Sequence, residues 1–190
     1  MELTEQDIKQ LLQESLVLAQ AEPDKGDSTQ KRNQNRSRSW VSILAAQLKA
    51  QYSTNSDIRV FSKYDKANRK DFGLNELLYD IVICRVDEVA SSTHKKKLYY
   101  IKDTIWQVES EFAHDNRQAL IDFNKLVLGS AQNKLFIGSQ VRKGKEDSLL
   151  NVLKPAARVC TGHVYIALIP HPAKWKEING SVKLWSMKAN

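Results

Sequence analysis

Two apolar stretches set the architecture of this chain: Leu77-Leu-Tyr-Asp-Ile-Val-Ile-Cys84 and Ile105-Trp-Gln-Val-Glu-Ser-Glu-Phe112. Runs of this length that are rich in aliphatic and aromatic residues predict strands of a buried sheet. Both nevertheless carry carboxylates, with Asp80 on the first and Glu109 and Glu111 on the second. An isolated ionised carboxylate in a dry interior is unfavourable, so buried acids are normally paired with cations or bound to metal. The three acids therefore mark the place where a functional site is expected.

Strand geometry groups these acids. Side chains alternate across a strand, so Glu109 and Glu111 point to one face, with α-carbons roughly 6.5–7 Å apart, while Ser110 points to the other. Asp80 joins them if its strand lies beside theirs. Carboxylates, a main-chain carbonyl, water and phosphate oxygens together form the hard oxygen shell that Mg²⁺ prefers. We therefore expect a Mg²⁺ site in which Mn²⁺ substitutes. The alternative is that the acids simply pair with lysine or arginine at the end of the sheet.

The net charge of +7 is concentrated in one segment. Residues 31–70 contain 10 basic and 2 acidic residues, whereas residues 1–30 contain 2 basic and 7 acidic ones. A concentrated basic block indicates a polyanionic partner, usually nucleic acid. The alternative is a basic face that is merely solvated.

The composition is that of a globular protein without membrane contact. No apolar run approaches the roughly 18 residues that a transmembrane helix needs, and the start Met1-Glu-Leu-Thr-Glu5 has no signal-peptide character. Cys84 and Cys160 lie in apolar surroundings, which favours buried thiols in a reducing compartment. We expect a cytoplasmic protein.

Apolar periodicity divides the chain into helices and strands. Residues 22–38 have no apolar residue after Pro23 and predict a basic linker, so that residues 1–38 form a helical arm and residues 39–190 an α/β domain. The arm helix is expected to pack either on the domain or on a second copy of the chain. Polar residues 87–97 predict a turn. Helices are expected at 4–21, 39–52, 115–129 and 146–160 (interrupted by Pro155), and strands at 57–64, 77–86, 98–112 (with a break near Asp103), 133–141, 162–170 and 181–187.

Three consecutive strands followed by strands that alternate with helices predict a mixed sheet flanked by helices. With its acids, this order resembles the PD-(D/E)xK nuclease superfamily. Tyr79-Asp80 stands in the Pro-Asp place and Glu109-Ser110-Glu111 in the Asp/Glu-x-Lys place, 29 residues further on, before the helix at 115–129. The resemblance covers about residues 40–170. It implies a restriction-endonuclease-like fold with an αβββαβ core.

The resemblance also implies roles for single residues. Asp80 and Glu109 would be metal ligands, together with the carbonyl of Ser110. Glu111 replaces the motif lysine, as in some restriction endonucleases, and would bind metal or orient the attacking water. Lys125, on the following helix, could instead supply a lysine that has moved, or be an ordinary surface lysine.

An extra acid, a histidine and several basic residues are further candidates for the site. Glu76 stands close before Asp80 and would take the place of an extra metal-binding acid that the helix at 39–52 lacks, or be a solvated glutamate. His114 directly follows the acidic strand. The residues expected to contact the phosphate backbone are Lys31, Arg32, Arg36, Arg38, Lys66, Arg69, Lys70, Lys95, Lys96 and Lys97.

The function that these features favour is a Mg²⁺-dependent endonuclease that hydrolyses phosphodiester bonds of DNA. Homodimerisation is compatible with it, because two sites would cut both strands. The alternative is a non-catalytic module on the same fold that binds nucleic acid or a protein partner, since the motif lysine is absent. A two-carboxylate glycosidase is disfavoured because only 8% of the residues are aromatic.

Overall fold

Six strands form one sheet, and their order in the sheet is their order along the chain. The structure is a computed structural model that describes residues 3–113, 115–140, 146–175 and 182–187, with only the backbone of Glu146. His114 and the ends of two predicted strands, Val141 and Ser181, lie outside these residues. The strands are β1 Ile58–Ser62, β2 Ile81–Ser91, β3 Lys96–Glu111, β4 Asn133–Ser139, β5 His163–Ile169 and β6 Lys183–Met187.

The sheet is mixed. The strands β1, β2 and β3 form an antiparallel meander, β4 and β5 follow in parallel with β3, and β6 is antiparallel to β5. The helices are α1 Glu5–Ala21, α2 Thr29–Gln51, α3 Arg69–Phe72, α4 Asn116–Leu128 and α5 Glu146–Val159, with a 3₁₀ turn at Pro172–Lys174. Because α4 and α5 connect parallel strands, they are crossover helices. The predicted class, a mixed sheet flanked by helices, is confirmed. None of the described helices is long and apolar enough to cross a lipid bilayer.

Helices cover both faces of the sheet. On one face, Leu12 of α1 and Leu44 of α2 share a core cluster with Val108 and Ile137. On the other face, the buried side chains of α4 and α5 pack around Phe136. The N-terminal helix therefore packs on the domain, which decides between the two placements that its amphipathic pattern left open.

The linker predicted over residues 22–38 is wrong from Thr29 onward, because α2 begins there and runs across residue 38. Ser28 caps this helix by accepting a hydrogen bond from the backbone N–H of Lys31 at 3.2 Å. Ser39, where this helix was expected to begin, lies inside it and hydrogen-bonds Glu22. The first turns of α2 extend beyond the core, so they need no apolar side chain and show no apolar periodicity before Trp40.

The turn predicted at residues 87–97 is also mostly wrong, because β2 continues to Ser91 and β3 begins at Lys96. The long hairpin is polar because its outer half is exposed, and exposed strands carry no alternating apolar signal. The break predicted near Asp103 is absent, although β2 and β3 shift register there by bulges. Helix α5 likewise continues through Pro155.

Candidate functional site

Asp80 and Glu109 stand beside each other at one end of the sheet. The β2–β3 ladder pairs Ile81 with Val108, and Asp80 and Glu109 are the next residues along. Asp80 Oδ2 accepts hydrogen bonds from the backbone N–H and the hydroxyl of Ser110, at 2.9 and 2.5 Å. Burial raises the pKa of Asp80, and these two bonds partly oppose the rise.

Glu109 is a buried acid with one unsatisfied oxygen. The residue is 3% exposed. Its Oε2 lies 3.3 Å from Lys125 Nζ, whereas Oε1 is buried and has no hydrogen-bond partner among the described residues. Burial, reinforced by the charge of Asp80, raises the pKa of Glu109 from 4.5 to about 8. The two carboxyl groups are thus close enough to oppose each other's ionisation.

Lys125 reaches this pair from α4. Its Nζ also lies 2.9 Å from Asp122 Oδ1, one turn earlier on the same helix. Partial burial disfavours the charged amine, but the hydrogen bond to Asp122 and the charge of Glu109 prevail and raise the pKa of Lys125. The lysine is therefore a cation held between two acids, where the sequence allowed either this position or an ordinary surface lysine.

Glu111 has other partners than Asp80 and Glu109. Its Oε1 accepts a hydrogen bond from the backbone N–H of Ala113 at 2.6 Å. Burial and a hydrogen bond shared with Asp122 raise the pKa of Glu111. Glu109, Lys125, Asp122 and Glu111 thus form a continuous chain of polar contacts over the end of the sheet.

Asp122 was not among the residues singled out in the sequence. Burial raises its pKa, but hydrogen bonds from Lys125 and Gln118 outweigh this and lower it. Residues 118, 122 and 125 are spaced by four and three, so they lie on one face of a helix. That spacing, on the helix that follows the acidic strand, is the signal that could have found Asp122.

A cleft with a volume of about 700 Å³ opens at this end of the sheet. Asp80, Ser110 and Glu111 line one wall, whereas Glu109 does not line the cleft. The opposite wall is a polar face of the first turns of α2. Its lining residues are Thr29, Gln30, Asn33, Gln34, Ser37 and Arg38, with Tyr64 and His171 nearby.

The four predicted phosphate-binding residues on α2 differ in their contacts. Arg36 forms two 2.8 Å hydrogen bonds to Asp24 and one of 2.7 Å to the carbonyl of Pro172, so it ties α2 to neighbouring segments. Lys31 pairs with Asp27, and Arg32 donates to the hydroxyl of Thr29. Arg38 lines the cleft and forms no ion pair within the described part of the chain.

None of the remaining predicted residues is among those that line the cleft. Lys95, Lys96 and Lys97 lie at the opposite end of the β2–β3 hairpin, ten residues along β2 from Ile81, which is roughly 30 Å at the rise of a strand. Lys66, Arg69 and Lys70 are exposed on the connection between β1 and β2. Glu76, on the same connection, is exposed and is not brought into contact with Asp80 or Glu109 in the described residues.

No family model, curated protein or solved structure matches this chain. The residues must therefore be judged on their own geometry. No group of three or more acids, histidines or cysteines in the described residues is arranged to hold a metal ion. Two carboxylates are present, however, and Mg²⁺ is commonly bound by only one or two carboxylates, with water and phosphate oxygens completing the shell.

Proposed function

We propose that this chain is a Mg²⁺-dependent endonuclease that hydrolyses phosphodiester bonds of DNA, with Asp80 and Glu109 as the metal ligands. The observation that carries the proposal is the buried pair itself. Glu109 is 3% exposed, one of its oxygens has no partner among the described residues, and Asp80 lies beside it. A bound cation would satisfy the free oxygen and remove the repulsion between the two carboxylates.

The donor set fits Mg²⁺ in chemical type, because carboxylate oxygens are the hard ligands that this ion prefers. The resemblance to the superfamily implies that the carbonyl of Ser110 would be a further ligand. When bound, such an ion polarises a phosphate and lowers the pKa of its water. Lys125 would hold positive charge against the phosphate, and Glu111 with Asp122 would accept the proton of the attacking water.

The order of elements supports a restriction-endonuclease-like arrangement. A helix, an antiparallel meander of three strands, a crossover helix and a parallel strand occur in the sequence α2, β1, β2, β3, α4 and β4. The acids stand at the start of β2 and the end of β3, next to the cleft. Lys125 of α4, which contacts Glu109, would then take the role of the missing motif lysine.

DNA is proposed as the substrate because the first turns of α2, which form one wall of the cleft, contain four basic residues and no acid. Arg38 faces the cleft directly. Such a wall attracts a phosphate backbone, and the attraction should weaken with salt. Two sites on a homodimer would cut both strands of a duplex.

A non-catalytic DNA-binding module is the second candidate, and one observation favours it. Each acid already has an internal partner, since Asp80 accepts two hydrogen bonds from Ser110 and Glu109 contacts Lys125. Acids that are satisfied in this way could serve the fold alone. In that case the chain binds DNA but neither metal nor scissile phosphate.

Incubation of supercoiled plasmid with the protein and Mg²⁺ or Mn²⁺ tests the first proposal. We expect nicked and linear products with the wild type, none in EDTA, and a loss with Asp80→Asn or Glu109→Gln of more than the roughly 10–100-fold typical of changes next to metal ligands. Glu88→Gln is the matched control, because Glu88 is an exposed acid of the same sheet. Salt-sensitive DNA binding without cleavage, and without metal binding by calorimetry, would establish the second candidate instead.

A further inference from the structure

The backbone takes a rare turn two residues before Asp80. Leu78 has a φ of 60°, and the N–H of Tyr79 donates a 2.6 Å hydrogen bond to the carbonyl of Leu77. A hydrogen bond that skips one residue, with positive φ at the central residue, defines the strained form of the γ-turn. A leucine is poorly suited to this position, where glycine or asparagine adopts positive φ more easily.

The two neighbours hold this turn in place. Leu77 packs against a buried cluster that contains Phe61 and Val82. Tyr79 packs against the same cluster and also against that of α4 and α5, and its hydroxyl donates a 3.0 Å hydrogen bond to the carbonyl of Lys125. The turn is therefore fixed on both sides to the elements that carry the candidate site.

Leu78 itself contributes no burial to the fold. It is 88% exposed, so its side chain projects from the anchored turn into solvent. The strained backbone and the exposure of an apolar side chain are both unfavourable. Backbone strain of this kind tends to cluster at functional sites. A ligand that covers the side chain would account for both features.

The basic residues of the same connection favour nucleic acid as this ligand. The connection between β1 and β2 exposes Lys66, Arg69 and Lys70, together with the acids Asp71 and Glu76. Proteins that kink DNA commonly insert a single leucine, isoleucine, methionine or phenylalanine between base pairs, while basic residues nearby hold the backbone. A protruding leucine on an anchored turn, in a connection that also exposes basic residues, has the properties that such an insertion requires.

Resting on the nuclease function proposed above, we infer that Leu78 is a wedge that inserts between stacked bases of duplex DNA beside the bond to be cut. The anchored turn keeps the side chain at a fixed distance from Asp80. Insertion would unstack one base step and bend the duplex toward the cleft. The substrate would then be duplex DNA that is distorted, or easily distorted, at the cleavage position, since flexible steps are cheaper to open.

Fluorescence of 2-aminopurine, which rises when the base is unstacked, tests the wedge. Duplexes with the probe at successive positions are bound to Glu109→Gln, in which cleavage is blocked. We expect a severalfold rise confined to one step. The additional change Leu78→Gly, which suits the positive φ and should not weaken the fold, should abolish the rise while retaining DNA binding, and Leu78→Phe should preserve it. Val159→Ala, at an exposed apolar residue at the end of α5, is the matched control.

The possible failures are distinguishable. An equal rise with Leu78→Gly would overturn the wedge and leave the nuclease proposal standing. If the parent protein does not bind DNA in any salt condition, both proposals are overturned. If Leu78→Gly converts a dimer to a monomer by sedimentation and leaves the fluorescence unchanged, the leucine is a contact between copies of the chain and the wedge is overturned.

Discussion

Two buried ionisable side chains on neighbouring strands face the same side of the sheet, yet their surroundings differ. Lys134 on β4 is 0% exposed, and its Nζ donates to the carbonyl of Gly129 at 2.7 Å and to the hydroxyl of Thr161 at 3.1 Å. Glu109 on β3 is 3% exposed and has one oxygen without a described partner. The lysine stabilises a helix end, whereas the glutamate remains available for a ligand.

The positions of the two residues explain this difference. Gly129 is the C-terminal cap of α4, where free carbonyls and the helix dipole favour a cation. Lys134 therefore completes the hydrogen bonding of the fold. Glu109 lies two residues further along the sheet, on β3, against Lys125 in the last turn of α4 and beside a second acid. A buried carboxyl group that the fold leaves incompletely satisfied is available for a ligand, whereas a buried amine with two acceptors is not.

The largest expected effect is a pH-dependent gain in stability on Glu109→Gln. Because the pKa of Glu109 rises from 4.5 to about 8 on folding, the native protein keeps a proton that the unfolded chain releases between these values. The wild type should lose stability as the pH rises from 4.5 to 8, and no more above 8. At about 1.4 kcal/mol per pH unit, the free energy of unfolding of the variant relative to wild type should be higher above pH 8 than at pH 4.5, by on the order of 5 kcal/mol. Urea unfolding from pH 5 to 9 without divalent metal measures this.

The control for that experiment is again Glu88→Gln, which should keep the wild-type pH dependence because Glu88 is exposed at the other end of the hairpin. Added Mg²⁺ should reduce the difference above pH 8, since a metal binds the ionised carboxylate. If the free energies of unfolding of wild type and Glu109→Gln depend on pH in the same way, the pKa of Glu109 is not raised by folding.

Lys134→Met should have the opposite effect. Methionine retains much of the apolar stem but removes the donor to the hydroxyl of Thr161 and leaves the carbonyl of Gly129 with only a 3.5 Å hydrogen bond from that hydroxyl. Such losses cost about 1–3 kcal/mol. Burial lowers the pKa of Lys134 below 10.5, so the wild type should also gain stability between the lowered value and pH 10.5, and the variant should not.

Chemical unfolding near neutral pH measures this destabilisation. Lys154→Met, at an exposed lysine of α5, is the control and should change the stability by less than about 0.5 kcal/mol. If Lys134→Met left the stability unchanged and lowered cleavage instead, Lys134 would be a functional residue. Its assignment to the fold would then be wrong.

The sequence was sufficient to single out Asp80 and Glu109 but not their contacts. A carboxylate inside an apolar run is visible without a structure, whereas the two acids meet only because their strands are neighbours in the sheet. The cation that meets Glu109 comes from a helix whose rotation on the sheet is set by packing, so Lys125 stayed an alternative until the distance of 3.3 Å was known. Lys134 gave no signal, since nothing in the sequence shows that its amine turns back to the carbonyl of Gly129 at the preceding helix end.

The two wrong secondary-structure predictions have one cause. The first turns of α2 and the outer half of the β2–β3 hairpin extend beyond the core, so neither has an apolar period that reveals its structure. Residues 22–38 and 87–97 were therefore predicted as linker and turn. Regular structure in these two regions is stabilised by capping and by backbone hydrogen bonds, which leave a weaker trace in a sequence than a buried face does.

Arg36 and Arg38 differ in the same way at the surface, because one stabilises the fold and the other is available for a ligand. The expected effects are smaller. Arg36→Ala removes three hydrogen bonds of a charged group with a side chain only 14% exposed, and should lower stability by about 1–3 kcal/mol. Arg38→Ala should change stability by less than about 0.5 kcal/mol but lower DNA affinity and reduce the slope of log affinity against log salt by about 1. Unfolding and salt-titrated binding assays on both variants measure this, and an unchanged salt slope for Arg38→Ala would remove it from the DNA interface.

The smallest effect on cleavage is expected from the hairpin lysines. Lys95, Lys96 and Lys97 lie roughly 30 Å from the acids, so replacing all three with alanine should leave the cleavage rate at saturating DNA unchanged. Long duplexes that reach the hairpin should bind more weakly, with a lower salt slope, whereas short duplexes centred on the cleft should bind as tightly as before. Equal weakening for both lengths would instead place the hairpin tip against the cleavage position, which requires a second copy of the chain to bring it there.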